Sequence, residues 1–205
     1  WENDPANASK VVDENGEPMV VYHGTGEDGS FTIFDESRFG NTDKGYQGEG
    51  FYFSESKKYA QSYAWKKGSE LKSVFINARN PFKRPDTVSH GENWREATWE
   101  AFEKYGINKE TSPEQQSQKL KNQGFDGIYV KKSDAYWSND GSDKPFIMEL
   151  VVYSPNQIKS ATDNTGAFDP NNDDIRYSKN TKGATDTTPT QVRDTLVKQF
   201  GEKTI

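Results

Sequence analysis

The stretch VVYHGTGEDGSF, Val20 to Phe31, holds two patterns that each suit a nucleotide. Gly24, Gly26 and Gly29 spell GxGxxG, which would cradle a pyrophosphate and serve hydride transfer. His23, Gly24 and Thr25 set an imidazole, a bare backbone and a hydroxyl in a row at what reads as the end of a strand. The glycine pattern needs a strand, a turn and then a helix whose first amides hold the pyrophosphate, within a βαβ unit of about 30 residues. After Gly29, SFTIFDESRFG has no helical face, and Gly, Asn and Asp punctuate the chain as far as Gly50. Asp43 stands where a ribose-binding acid would, a match that an acidic chain offers by chance. The Rossmann reading fails for want of the helix, and the weight moves to His23, Gly24 and Thr25.

Other residues with chemical potential lie further on. GFYFS reads as a short strand, and Ser54 can cap the helix ESKKYAQSYAWKK, whose Tyr59, Ala60, Tyr63 and Ala64 share one face before Gly68, so that Tyr52 and Tyr63 can converge. PFIMELVVY reads as a strand with Ile147, Glu149, Val151 and Tyr153 pointing one way and Phe146, Met148, Leu150 and Val152 the other, which leaves Glu149 as a lone carboxylate among apolar residues. Taken singly, a strand-end His ties down a loop, the tyrosines are core aromatics, and a carboxylate in an edge strand is solvated. His90, in the loop TVSHGEN, reads as a surface residue, and Lys57 and Lys58 as a solvated helix face.

Several elements must position these groups. Asn15-Gly16 between two β-branched runs predicts a hairpin that leads to His23. Gly24 to Gly50 is a long loop anchored by Phe31, Ile33, Phe34 and Phe39. LKSVFINARNPF predicts a strand that places Val74, Ile76 and Ala78 on one side and stops at Pro81; ENWREATWEAFEKYG predicts a helix ending at Gly106. Ser112, Pro113 and Gln115 form a capping box opening a helix that ends near Gly124, and FDGIYV is a further strand, parted from PFIMELVVY by the polar loop Lys131 to Lys144. The tail from Asp163 to Pro189 reads as a clasp grading into a linker, followed by an amphipathic stripe of Val192, Leu196 and Phe200. Periodicity by itself gives the class α+β.

Composition sets bounds. In 205 residues only 31% are hydrophobic and mean hydropathy is -1.05, so the core is lean and rests on 5 Trp, 10 Tyr and 12 Phe. A net charge of -6 argues against a non-specific grip on a phosphate backbone and lends a nucleic-acid target no support. Zero cysteines remove disulfides and thiolate chemistry, and two histidines are too few for most zinc sites, so no metal is expected. No apolar run approaches the ~20 residues of a membrane span and no signal-peptide pattern opens the chain, which reads as a soluble segment cut from something longer.

Read in order, His23-Gly24-Thr25, GEGFYFSESKKYAQSYA and IMELVVYSPNQIKSA resemble the His-Tyr-Glu ADP-ribosyltransferases, the branch that includes diphtheria toxin and the poly(ADP-ribose) polymerases. The chain is most similar to the small domains of phage polyvalent and head-associated polyproteins. QGFDGIYVKK and GAFDPNNDDIRYS share that likeness, which covers roughly Val11 to Tyr177. The resemblance implies a split pair of small antiparallel β-sheets forming an NAD cleft with peripheral helices. It implies a catalytic domain over residues 1–178, which leaves 179–205 as the polar linker and short amphipathic helix read above, expected to open a following domain. It further implies that Glu149, His23 and Tyr52 carry catalysis, and that His23, Gly24, Thr25, Tyr52, Ser54 and Tyr63 contact NAD. Glu149 would steady the oxocarbenium-like ribose, His23 would hold the other ribose, Gly24 and Thr25 would read the nicotinamide amide, and Tyr52 and Tyr63 would sandwich its ring. Arg38 is placed by the sequence in the loop after His23, where it either reaches the NAD phosphates or stands as a surface charge.

Cleaving the nicotinamide bond and passing one ADP-ribose to a macromolecule is the expected reaction, with a host or bacterial protein as acceptor ahead of RNA or DNA. An NAD glycohydrolase and a non-catalytic NAD-binding module of a phage polyprotein are the alternatives. Arginine-modifying relatives carry Glu or Gln two residues before the catalytic Glu, where this chain has Ile147, and SDAYWSNDGSDK with Tyr136 and Trp137 is the expected target-recognition loop. A monomer without membrane contact, virion-associated or delivered into a host cell as an effector, completes the expectation.

Overall fold

The computed structural model describes residues 8–26, 28–40, 45–164 and 172–176. Its elements are β1 (Val21–Gly24), β2 (Phe51–Phe53), α1 (Lys57–Gln61), β3 (Leu71–Ile76), β4 (Pro81–Lys83), α2 (Thr87–His90), α3 (Trp94–Glu103), α4 (Pro113–Asn122), β5 (Gly127–Lys132), β6 (Phe146–Val152) and β7 (Ile158–Ser160). They form two small sheets, ordered β1-β3-β7 and β2-β6-β5-β4. The sheets join where Tyr22 and Ser54 exchange backbone hydrogen bonds of 2.7 and 2.9 Å. The mixed α and β class with a split pair of sheets is as expected from the sequence. One pairing departs from it: β4 runs parallel to β5, because the chain crosses over through α2, α3 and α4 before returning.

One core cluster lies between the sheets, with Val21, Val74, Ile76 and Ile158 from the first meeting Phe51, Phe53, Leu150 and Val152 from the second. Phe34 fills its centre, with ring centroids 5.1 Å from Phe31 and 5.3 Å from Phe51. A second cluster covers the other face of the larger sheet, where Val151, Ile128 and Phe82 meet Phe102 of α3 and Leu120 of α4. Aromatic area thus supplies what a lean composition withholds.

Local chemistry explains where expectation and structure part. The Asn15-Gly16 turn closes on Asp13 Oδ1, which accepts from the Asn15 and Glu17 amides, yet the flanks meet only through the Val12–Pro18 bridge. The Asp13 and Met19 amides donate to the Glu17 and Val11 carbonyls around that one bridge, and β1 pairs with β3 instead. Strand β3 stops at Ile76, and Pro81 opens an edge strand rather than ending one. Ile33 is no anchor, being 51% exposed. His90 closes a short helical turn and is exposed. Helix α1 ends at Gln61, short of the expected span, because Ser62 turns its hydroxyl onto the Tyr59 carbonyl at 2.6 Å and competes with the helical ladder. Its N-cap is Ser56, not Ser54. The Ser112 capping box of α4 forms as expected.

The strand β6 is interior, not an edge, and carries an irregularity. Glu149 faces Val130 and Ile147 faces Lys131, so Met148 is an extra residue and the alternation breaks there. Ile147 therefore joins Leu150 and Val152 in the inter-sheet core, while Glu149 keeps to the face of Val151, whose β2 partner is Tyr52. The strand β7 has no apolar run to announce it. Its buried Lys159 donates to the Asn172 carbonyl at 2.6 Å, and Ile175, itself buried, bonds both Thr32 and Ser160. Ile175 thus ties down the described part of the expected clasp; residues 165–171 and 177–205, with Phe168 and the amphipathic stripe, lie outside the described residues.

Candidate active site

The two sheets meet at Tyr22 and Ser54, and the chemistry-bearing residues gather around that junction. Gly24, the last residue of β1, packs on α1 so closely that a Cβ there would stand 2.1 Å from the Ala60 carbonyl oxygen and 3.1 Å from Tyr63 Cβ. Only glycine permits this approach. Thr25 then locks the strand end to β3: its amide donates to the Glu70 carbonyl at 2.9 Å, and its buried hydroxyl accepts from the Glu70 amide at 2.6 Å.

His23 lies against Phe34 and Phe53, and its Nδ1 is 2.7 Å from the Tyr52 carbonyl oxygen. A carbonyl only accepts, so Nδ1 carries the proton. Burial pulls the imidazole below its ordinary value of 6.5, against the opposing pull of that carbonyl, and Lys72 lowers it further. The ring is neutral at pH 7, which leaves Nε2 as an acceptor suited to a sugar hydroxyl.

Glu149 stands on the Tyr52 face of β6 with both carboxylate oxygens engaged. The Tyr59 hydroxyl donates to Oε1 at 3.1 Å and the Gln47 side-chain amide donates to Oε2 at 2.6 Å. Burial and the adjacent Glu149 charge push the Tyr59 phenol far above its usual range, so it remains a donor. Tyr63 lies 3.1 Å beyond, hydroxyl to hydroxyl, with its ring edge-on to Tyr59 at 5.5 Å. The Tyr52 hydroxyl faces the loop before β2, donating to the Gly48 carbonyl at 2.6 Å and accepting from the Gln47 amide at 3.0 Å.

The structure thus brings His23, Gly24, Thr25, Tyr52, Tyr63 and Glu149 to the junction. Ser54 is there too, but its buried hydroxyl is engaged by the Ile147 carbonyl and the Ser56 amide. Arg38 is exposed on a single 3-10 turn, where its charge acts on Asp35 and Asp28. Sequence reasoning misses three groups. Tyr59 reads there only as a helix-face aromatic, although it lies one turn from Tyr63. Gln47 and Arg84 carry no local signal at all, one in a glycine-rich loop and the other just after β4.

The loop between β5 and β6 is pinned over the start of α1. Asn139 accepts from the Lys57 amide at 2.8 Å and donates to the Glu55 carbonyl at 2.9 Å, and Ser56 donates to the Trp137 carbonyl. Trp137 is edge-on to Tyr59 at 5.2 Å, and Tyr136, 65% exposed, holds the Lys58 ammonium 3.7 Å over its ring. An aromatic row therefore runs from Tyr63 through Tyr59 and Trp137 to Tyr136.

Among the described residues no cluster of three or more His, Asp or Glu could hold a metal ion, and no helix is long and apolar enough to cross a membrane. No curated protein and no solved structure matches the chain. A family model described as "ADP-Ribosyltransferase in polyvalent proteins" matches residues 13–168, which span every residue of the junction just described. With its ordered His-Gly-Thr, Tyr and Glu motifs folded onto a split pair of sheets, the chain belongs to that family of ADP-ribosyltransferase domains, whose substrate is NAD.

Proposed function

We propose that this chain cleaves the nicotinamide–ribose bond of NAD and transfers a single ADP-ribose to a macromolecular acceptor, a protein rather than a nucleic acid. The observation that carries the proposal is the Glu149 carboxylate, held by two donors on the face of Tyr52 and linked through Tyr59 to Tyr63. As the C–N bond breaks, nicotinamide leaves with the bonding pair and the ribose carbon gains positive charge. A carboxylate that needs no reorganisation stabilises that charge at the moment it develops. The acceptor then bonds the ribose carbon and gives up its proton. Neutral His23 offers Nε2 to a ribose hydroxyl, and the tyrosines offer π faces to the cationic ring, each worth about 1–2 kcal/mol.

The pinned loop with Tyr136 and Trp137 supports the view that it meets the acceptor, since a fixed platform beside the carboxylate can orient a nucleophile. A chain of net charge -6 favours a protein over a nucleic acid. The bulge at Met148 turns Ile147 into the core, so the position two before Glu149 does not face an acceptor, in keeping with a target other than arginine.

Incubation with labelled NAD and a bacterial lysate tests this, with free nicotinamide and label on protein, RNA and DNA followed separately. Nicotinamide release with label on protein is expected, and Glu149→Gln lowers turnover by about 10²-fold while NAD still binds. Intact NAD throughout would overturn the proposal; nicotinamide without label would make the chain a glycohydrolase.

A further inference from the structure

We infer that Gln47 and Arg84 are positioning residues for Glu149, acting as a buried two-step relay that fixes the carboxylate. The inference rests on the assignment of Glu149 as the group that faces the ribose. Arg84 Nη1 donates to Gln47 Oε1 at 2.8 Å, and Gln47 Nε2 donates to Glu149 Oε2 at 2.6 Å. Guanidinium can only donate and the carboxylate oxygen accepts here, so the Gln47 amide has one workable orientation. Flipping it would set donor against donor and acceptor against acceptor. The relay is therefore directional, and Arg84 dictates which way Gln47 points.

Both members are sealed in. Gln47 is 2% exposed and Arg84 4%. The guanidinium is held between the Tyr46 and Trp94 rings at 5.0 and 5.2 Å, and burial pulls it below its ordinary value, offset by Tyr46 and Glu149. A cation is expensive to bury, and its Nε has no hydrogen-bond partner among the described residues. The buried cation is met by the Tyr46 and Trp94 rings and, through the neutral Gln47 amide, by the Glu149 carboxylate, so its one charge-bearing connection among the described residues leads to the site. Gln47 reaches its place through a turn that only glycine allows, with φ of 80° at Gly45 and 99° at Gly48. The same turn is tied to Tyr52 through the Gly48 carbonyl and the Gln47 amide.

A double-mutant cycle on the whole chain tests the relay. Gln47→Met keeps the volume and removes both hydrogen bonds. The rate of nicotinamide release should fall about 10-fold or more with KM for NAD changed less than about 2-fold. In a Glu149→Gln background the same substitution should leave the rate unaltered, because a residue that acts only through Glu149 has nothing left to act on. Arg84→Met should lower the rate in the same way and not add to Gln47→Met, and Arg84→Lys, which keeps a donor, should restore part of the loss. Equal losses in both backgrounds, or a loss confined to KM, would overturn the inference.

Unfolding midpoints of the four proteins in the Gln47 and Glu149 cycle give an answer that needs no activity. Gln47→Met should lower the midpoint at least about twice as far when Glu149 is present as it does in the Glu149→Gln background, since a half-buried carboxylate that loses one of its two donors is left worse off than a neutral amide that does. If wild type releases no nicotinamide while that coupling is present, the reaction is misassigned and the relay stands. If the coupling is absent, the relay falls whatever the activity.

Discussion

Replacing Gly24 by alanine asks whether strand β1 and helix α1 are packed as tightly as the structure requires. The new methyl would lie 2.1 Å from the Ala60 carbonyl oxygen and 3.1 Å from Tyr63 Cβ and the Ala64 amide nitrogen. Carbon and oxygen approach comfortably to about 3.3 Å, so the two elements must part by roughly 1 Å. β1 has little freedom to retreat, being registered with β3 from Val21 to Gly24, bonded to Ser54 and locked at Thr25. Helix α1 must give way and take Tyr59 and Tyr63 with it. A Tyr59–Glu149 hydrogen bond of 3.1 Å does not survive a further ångström. Overpacking of this kind costs about 1–3 kcal/mol, and displacing an active-site group by about 1 Å costs on the order of 10² in rate. Urea unfolding reads the first and nicotinamide release the second. Gly16→Ala is the comparison: φ there is 77° with open space around the Cβ, so it should lose about 1–2 kcal/mol and keep its activity. A Gly24→Ala protein with wild-type stability and turnover would show that the helix does not bear on β1 in this way.

Two further outcomes are expected. Because burial lowers the His23 imidazole, the unfolded chain binds the proton first; stability is complete above the ordinary value of 6.5 and declines as pH falls below it, by at most about 1.4 kcal/mol per pH unit from this group. Unfolding measured between pH 7 and 5 should therefore lose one proton's worth of slope in His23→Gln, and an unchanged slope would contradict the neutral assignment. Ser56→Ala removes both the cap on the Tyr59 amide, 2.9 Å away, and the tie to the Trp137 carbonyl, so it should cost about 1–2 kcal/mol and speed amide exchange through Lys57–Tyr59 and Trp137–Ser138 together. Faster exchange in only one of the two segments would separate the cap from the loop.

The groups that patterns announce are legible before any folding is considered. His23-Gly24-Thr25 at a strand end, Tyr52 in β2, Glu149 as the one carboxylate of an apolar strand and the capping box of α4 all follow from spacing and residue type. Each depends on interactions within a few residues, which periodicity records. What joins them is non-local. Gln47 meets Glu149 and Arg84 across 102 and 37 residues, and no property of GYQGEG or PFKRP foretells that meeting. The parallel β4–β5 pair follows from a crossover through three helices, and the bulge at Met148 from how β6 registers with β5, so neither is written in the strand's own alternation. Packing alone made Ile147 a core residue, chose Ser56 over Ser54 as the cap of α1, and gripped Glu149 from two sides, because burial and hydrogen-bond partners are assigned when distant segments come together.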